Sequence, residues 1–121
     1  LYGILGEIGQ NETQVRLPAH FLKAVSYINS HFTEDISADD VCAQAGMSGT
    51  VFRQLFRQYY HKSPVAYIIQ LRLEYARNLI ARGVSVESAA LESGFHDAKY
   101  FARTVRKHFG CTPRELKTYG K

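Results

Sequence analysis

The chain has 121 residues, 45% of them hydrophobic and 21% charged, with 15 Lys and Arg set against 11 Asp and Glu. That size suits one compact domain or two very small ones sharing a core, and the apolar share is too high for a disordered tail. No apolar run approaches the roughly 20 residues that span a bilayer. Only two cysteines, Cys42 and Cys111, occur, far apart and in no ligand-like spacing, so neither a disulfide framework nor a cysteine-based zinc site is expected, as fits a reducing cytosol.

In chain order, Leu1, Ile4, Leu5 and Ile8 fall on one helical face, and Gly3, Gly6 and Gly9 fall on the other. Each glycine costs about 1 kcal/mol of helix propensity. Residues 1–17 are therefore expected to be either the tail of a helix from an upstream domain or a linker. A start at Leu1, with neither an initiator Met nor a signal-peptide pattern, suggests a piece of a longer protein.

Beyond Pro18, the stripe Phe21, Leu22, Val25, Ile28 and Phe32 predicts a helix over 19–32, and Thr33-Glu34-Asp35 turns the chain. Ser37 followed by Asp40 is a capping-box pattern for a short helix ending near Ala45 at Gly46. Ser48 starts another helix that runs to about Tyr60. Ser63-Pro64 places a cap hydroxyl before a proline at the first helical position, and Gly83 suits the far end. Between them Ile68, Leu71, Tyr75, Ala76, Leu79 and Ile80 predict a single apolar face. Ser85 opens a helix that closes before Gly94, residues 97–109 form the next, and Pro113 begins a last one reaching Tyr119. The expected fold class is all-α, with about seven helices.

Two stretches match. At an offset of 48, Ser37 aligns with Ser85, Gly46 with Gly94 and Met47 with Phe95; after one inserted residue, Phe52 aligns with Phe101, Phe56 with Val105, Arg57 with Arg106, and Ser63-Pro64 with Thr112-Pro113. Two copies are too few for a solenoid. Each copy holds a short capped helix, a glycine turn and a second helix, which is the helix-turn-helix plan. The fold is expected to divide into a first such subdomain over 18–62, a connector helix over 63–83 and a second subdomain over 84–121.

Charge is uneven along the chain, net −2 over residues 1–37 and +6 over 38–121. The basic part suits a polyanion, but electrostatics alone supplies attraction without specificity. The second helix of each copy adds the missing detail. Phe52, Leu55, Phe56 and Tyr59 share one face of the first, opposite Thr50, Arg53, Gln54 and Arg57. In the second, Phe101, Val105 and Phe109 face inward while Lys99, Ala102, Arg103 and Arg106 face out. Neither exposed row contains an acid. Arg and Lys bond guanine edges and Gln bonds adenine bidentately, so both rows suit a DNA major groove. At 1.5 Å per residue, the connector from Pro64 to Arg82 is about 28 Å long, against about 34 Å between successive major-groove faces.

These residues resemble the DNA-binding domain of AraC/XylS-type bacterial transcription regulators over about residues 20–120. The most specific parts are Arg72-Leu73-Glu74 with Ala76-Arg77, Gly94-Phe95, Tyr100-Phe101-x-Arg103 and Gly110-x-Thr112-Pro113. The resemblance implies two helix-turn-helix units on a long helix, binding promoter double-stranded DNA to activate or sometimes repress transcription. It also implies a cytoplasmic bacterial protein, nucleoid-associated when bound, that acts with RNA polymerase. An effector would act only through an N-terminal domain absent from this chain. Carried over by position, the base-reading candidates are Thr50, Arg53 and Gln54 in the first unit, and Ala98, Lys99, Tyr100 and Arg103 in the second. Backbone contacts are expected from helix N-termini at Ser48 and His96, and from Arg57, Arg106 and Lys107. His61 departs from the family pattern, standing where a glycine is usual before Ser-Pro, and Val105 replaces a common Phe. Ala98 offers only a methyl.

Other chemistries find little support. His20 and His31 have no chelating spacing, His108 lies beside the inward stripe as a packing residue, and Cys42 falls on an inner helix face as an inert thiol. Phosphate-loop glycines and a recognisable catalytic arrangement are lacking. No enzyme activity, catalytic residue, metal, cofactor or membrane association is expected. The rival reading is a protein-interaction module that docks the same basic helices on an acidic partner. A weaker third is DNA repair through a sacrificial Cys42 or Cys111.

Overall fold

The computed structural model describes residues 19–119, so the expectation for residues 1–17 lies outside the described residues. Among the described residues seven helices follow one another: α1 (Ala19–His31), α2 (Ala38–Ala45), α3 (Gly49–Tyr60), α4 (Pro64–Ala81), α5 (Val86–Glu92), α6 (Ala98–Phe109) and α7 (Leu116–Tyr119). Among the described residues there is no strand. The fold is all-α, as expected.

Serine caps set most of the helix starts. The Ser37 hydroxyl accepts the Asp40 amide at 3.1 Å while the Asp40 carboxylate accepts the Ser37 amide at 3.0 Å. Ser48, Ser63 and Ser85 each accept the amide three residues on, from Val51, Ala66 and Ser88. Each cap of this kind contributes about 1 kcal/mol by satisfying an otherwise orphaned donor. The repeat extends to the turns. Gly46 and Met47 donate to the Ala43 and Cys42 carbonyls, and Gly94 and Phe95 donate to those of Leu91 and Ala90, the same pattern 48 residues later. Both are Schellman closures, which need a left-handed residue after the helix.

The two units do not share a core. Phe21, Ile28, Val41, Phe52, Phe56 and Ile68 centre the first, where Phe56 stacks on Tyr60 with ring centroids 4.7 Å apart. Leu73, Ala76, Ile80, Ala89, Phe101, Val105 and Leu116 form the second. The buried positions correspond: Cys42 with Ala90, Phe52 with Phe101, Phe56 with Val105.

Several expected details are corrected. Leu22 is 49% exposed and Ala24 is buried instead, because Phe21, Ala24, Val25 and Ile28 lie at i, i+3, i+4 and i+7 while Leu22 sits about 100° off that line. The connector has two apolar faces in place of one: Ile68 serves the first core and Leu73, Ala76 and Ile80 the second. Tyr75 is accordingly 40% exposed, its ring edge-on to Phe32 at 5.7 Å. The connector also stops a residue early, at Ala81 with Arg82 as its cap. The last helix starts at Leu116 and not at Pro113, since residues 113–115 form turns closed by three-residue bonds, including Leu116 to Pro113 at 3.2 Å. His108 is exposed and not packed in the core; Phe101 and Val105 occupy the inward line, with Phe109 half-buried beside it.

Candidate nucleic-acid interface

Helix α3 turns Phe52 and Phe56 fully inward. The same periodicity leaves Thr50, Arg53, Gln54 and Arg57 exposed on its other side. Arg53 folds back over the first turn, where a Cβ on Gly49 would lie 3.3 Å from its Nη1. Its cationic head thus sits at the N-terminal end of the helix. Arg53, Gln54 and Arg57 line one shallow depression together with Gln58.

Helix α6 buries Phe101 and Val105 and exposes Ala98, Lys99, Arg103, Arg106 and Lys107. Ala102, expected to face out, is half-buried. Tyr100 divides its ring between roles: it is 40% exposed and rests 6.0 Å from the Phe95 ring. Asp97 is the N-cap, its carboxylate accepting the Lys99 amide at 2.8 Å and the Tyr100 amide at 3.3 Å. The acid at the head of this row is therefore engaged by the helix's own amides. His96 and Ser48 are exposed, the latter with its hydroxyl committed to Val51.

A groove of about 640 Å³ runs between α4 and α6. Tyr100, Arg103 and Lys107 line it from α6, Ala66, Ile69 and Gln70 from α4, and Lys62 from the link between α3 and α4. No acid lines it or the depression on α3. Thr50, Ala98, Lys99 and Arg106 line neither. Lys62 hydrogen-bonds to Gln70 Oε1, and the Gln70 amide donates to Glu74 at 3.2 Å. Sequence reasoning missed Lys62, Gln70 and Thr104 at this surface because the groove arises only where two distant helices meet. Gln58 was findable, since it continues the Gln54 row at i+4.

Cys42 is buried. Burial pushes its thiol pKa up, nearby Arg53 pulls it down and Asp39 raises it further. Among the described residues no group of His, Cys, Asp and Glu could hold a metal, and no helix is long and apolar enough to cross a membrane.

The family described as "Helix-turn-helix domain" matches residues 41–119. The chain is 33% identical over 95 residues to the HTH-type transcriptional regulator ExsA of Pseudomonas aeruginosa, covering 78% of this chain and 34% of that protein. It is 32% identical over 92 residues to the thermoregulatory protein LcrF of Yersinia pestis, covering 75% of this chain and 34% of that protein. The chain thus spans about a third of the length of these curated relatives. Among solved structures, a transcriptional regulator with an AraC-type DNA-binding domain from Chromobacterium violaceum aligns with a TM-score of 0.74 and 34% identity, covering 82% of this chain and 89% of that one. The DNA-binding domain of AdpA, solved in complex with a target DNA, shares the fold with a TM-score of 0.75 at 23% identity, over 82% of this chain and 90% of that one. The chain belongs to the helix-turn-helix family, as an AraC-type domain of transcription regulators.

Proposed function

We propose that the chain binds double-stranded DNA sequence-specifically as the output domain of a bacterial transcription regulator, with α3 and α6 each entering a major groove. One observation carries the reading. Equivalent helices of a duplicated unit each present an exposed, acid-free row of hydrogen-bonding and cationic side chains. Thr50, Arg53 and Gln54 read bases in one segment; Ala98, Lys99, Tyr100 and Arg103 read them in the next. Ser48, Arg57, His96, Arg106 and Lys107 hold the backbone. At 18 residues, α4 is about 27 Å long, comparable with the pitch of about 34 Å that separates successive grooves on one side of B-DNA.

In this reading residues 18–62 and 84–121 are the two reading units, residues 63–83 connect them, and residues 1–17 join them to an upstream effector or dimerisation domain. RNA polymerase is the partner at a promoter, and the cytoplasm is the setting. Selection of bound duplexes from a random pool tests the proposal: a site of two conserved parts about one helical turn apart is expected. Binding to those duplexes should fall steeply with salt, each neutralised phosphate adding about −0.9 to the log–log slope. Enrichment of no sequence, or binding that salt leaves unchanged, would overturn it in favour of a protein-interaction module.

A further inference from the structure

The two turn glycines have the same conformation type, with φ of 67° at Gly46 and 104° at Gly94, but different surroundings. A Cβ on Gly46 would meet nothing within 4 Å. On Gly94 it would lie 2.8 Å from Arg72 Nε and 3.1 Å from the Thr33 carbonyl oxygen. Both crowding groups come from outside the second unit: Thr33 belongs to the loop between α1 and α2, and Arg72 to α4.

Arg72 connects these parts through its fork. Its Nε–H donates to the Phe32 carbonyl at 2.6 Å and its Nη2 donates to the Glu34 carbonyl at 2.8 Å. Phe32 follows the end of α1, where carbonyls lack helical partners and carry partial negative charge. The planar guanidinium reaches two carbonyls at once, which a lysine ammonium on its flexible stem does not reproduce. Burial pushes the Arg72 pKa down, against the opposing effect of Asp35 and Tyr100. The turn of the second unit therefore rests on a side chain that is itself tied to the loop of the first. Only a glycine leaves room for that approach.

We infer that Arg72 is a positioning residue for spacing: clamped between the loop at residues 32–34 and Gly94, it sets the angle between α3 and α6, and so the separation of the two DNA segments accepted in one binding event. This rests on the DNA reading proposed above. Without the fork, the second unit pivots about α4 and both helices still read, but they no longer demand one spacing.

The test uses Arg72→Gln, Arg72→Lys and Gly94→Ala. The first readout needs no DNA. Spin labels at exposed Gln44 and Glu92, on α2 and α5, in a Cys42→Ala, Cys111→Ser background, report the distance distribution between the units. A narrow distribution is expected for the parent and a wider or shifted one for each variant. The second readout is binding to the selected two-part duplex, to versions with one base pair added or removed between the parts, and to a duplex holding one part alone. Binding to the single part should be unchanged, while discrimination between native and altered spacing falls by about tenfold, as expected when the link between two binding modules loosens. Variants that keep the parental distance distribution and spacing preference would overturn the inference, as would losses equal on one-part and two-part duplexes. Should the parent select no duplex, the DNA reading fails on its own and the distance distributions alone decide whether Arg72 holds the joint.

Discussion

Ile68 and Leu73 lie five residues apart on α4 and are buried in different cores. Five residues turn a helix by about 500°, which leaves the two side chains about 140° apart around the axis. One helix can therefore be a structural member of both units. Truncating either side chain should cost about 2–5 kcal/mol, but in different places. In Leu73→Ala, hydrogen exchange should speed up in α5 and α6 and spare α1 to α3; Ile68→Ala should do the reverse. Equal acceleration throughout both units would show that the cores do not respond separately.

Arg103 and Lys107 share a groove wall but should behave differently on DNA. Arg103→Ala is expected to lose about 1–3 kcal/mol of binding and to relax preference at one base pair, while Lys107→Ala weakens binding on all sequences and reduces the salt slope by about 1. Titration against the selected duplex and its single-base variants separates the two. A loss for Arg103→Ala that is the same on every sequence contradicts its assignment as a base reader.

His61 ends α3 with φ 61° and ψ 25°, the described non-glycine residue with positive φ. A side chain in this region costs about 1–2 kcal/mol, whereas glycine adopts it freely at an entropic cost of about 0.5–1 kcal/mol. His61→Gly should therefore stabilise the fold by up to about 1 kcal/mol, seen as a higher urea midpoint with an unchanged slope. A lower midpoint would mean that the imidazole makes a contribution larger than its backbone strain.

The thiols should differ in reactivity. Cys42 is buried and its pKa is raised by that burial, so the native protein should hold little of the reactive thiolate there. Cys111 is only half-buried and should label first with a thiol reagent near neutral pH. Rapid native-state labelling of Cys42 would reopen the sacrificial-thiol reading.

Glu115 closes a reciprocal cap before α7, its Oε1 accepting the Thr112 amide at 2.8 Å. That bond, with the Thr112 hydroxyl next in effect, holds its pKa below the ordinary 4.5. A carboxylate depressed in the folded state adds stability above its unfolded pKa and loses it as pH falls through the folded value. Glu115→Gln should thus lower the melting temperature at neutral pH and make little difference in strong acid. A gap between the two proteins that stays constant across this range would rule out the carboxylate charge as its cause.

Much of the molecule is legible locally. Ser37-x-x-Asp40, Ser63-Pro64 and the glycines at 46 and 94 mark helix ends because capping and left-handed turns depend on neighbours within a few residues. The inward rows of α3 and α6 follow from period alone, and the outward candidates emerge as their complement. Leu22, Tyr75 and His108 were misplaced for a shared reason. An apolar or aromatic residue at the edge of a stripe is compatible with burial, and only the partner surface decides whether it is covered.

Local sequence determined which helices form, most of their ends and most of the side chains a duplicated unit presents outward, because those properties are set by hydrogen bonds and side-chain rows within one helix or turn. Tertiary structure alone decided that α4 splits its apolar residues between two cores, that Lys62 lines one groove with Tyr100, Arg103 and Lys107, and that Gly94 rests on Arg72 and Thr33 while Gly46 stands in open space. Those relationships join groups about 20 to 60 positions apart, and no local spacing encodes how far two packed elements rotate before their side chains interlock.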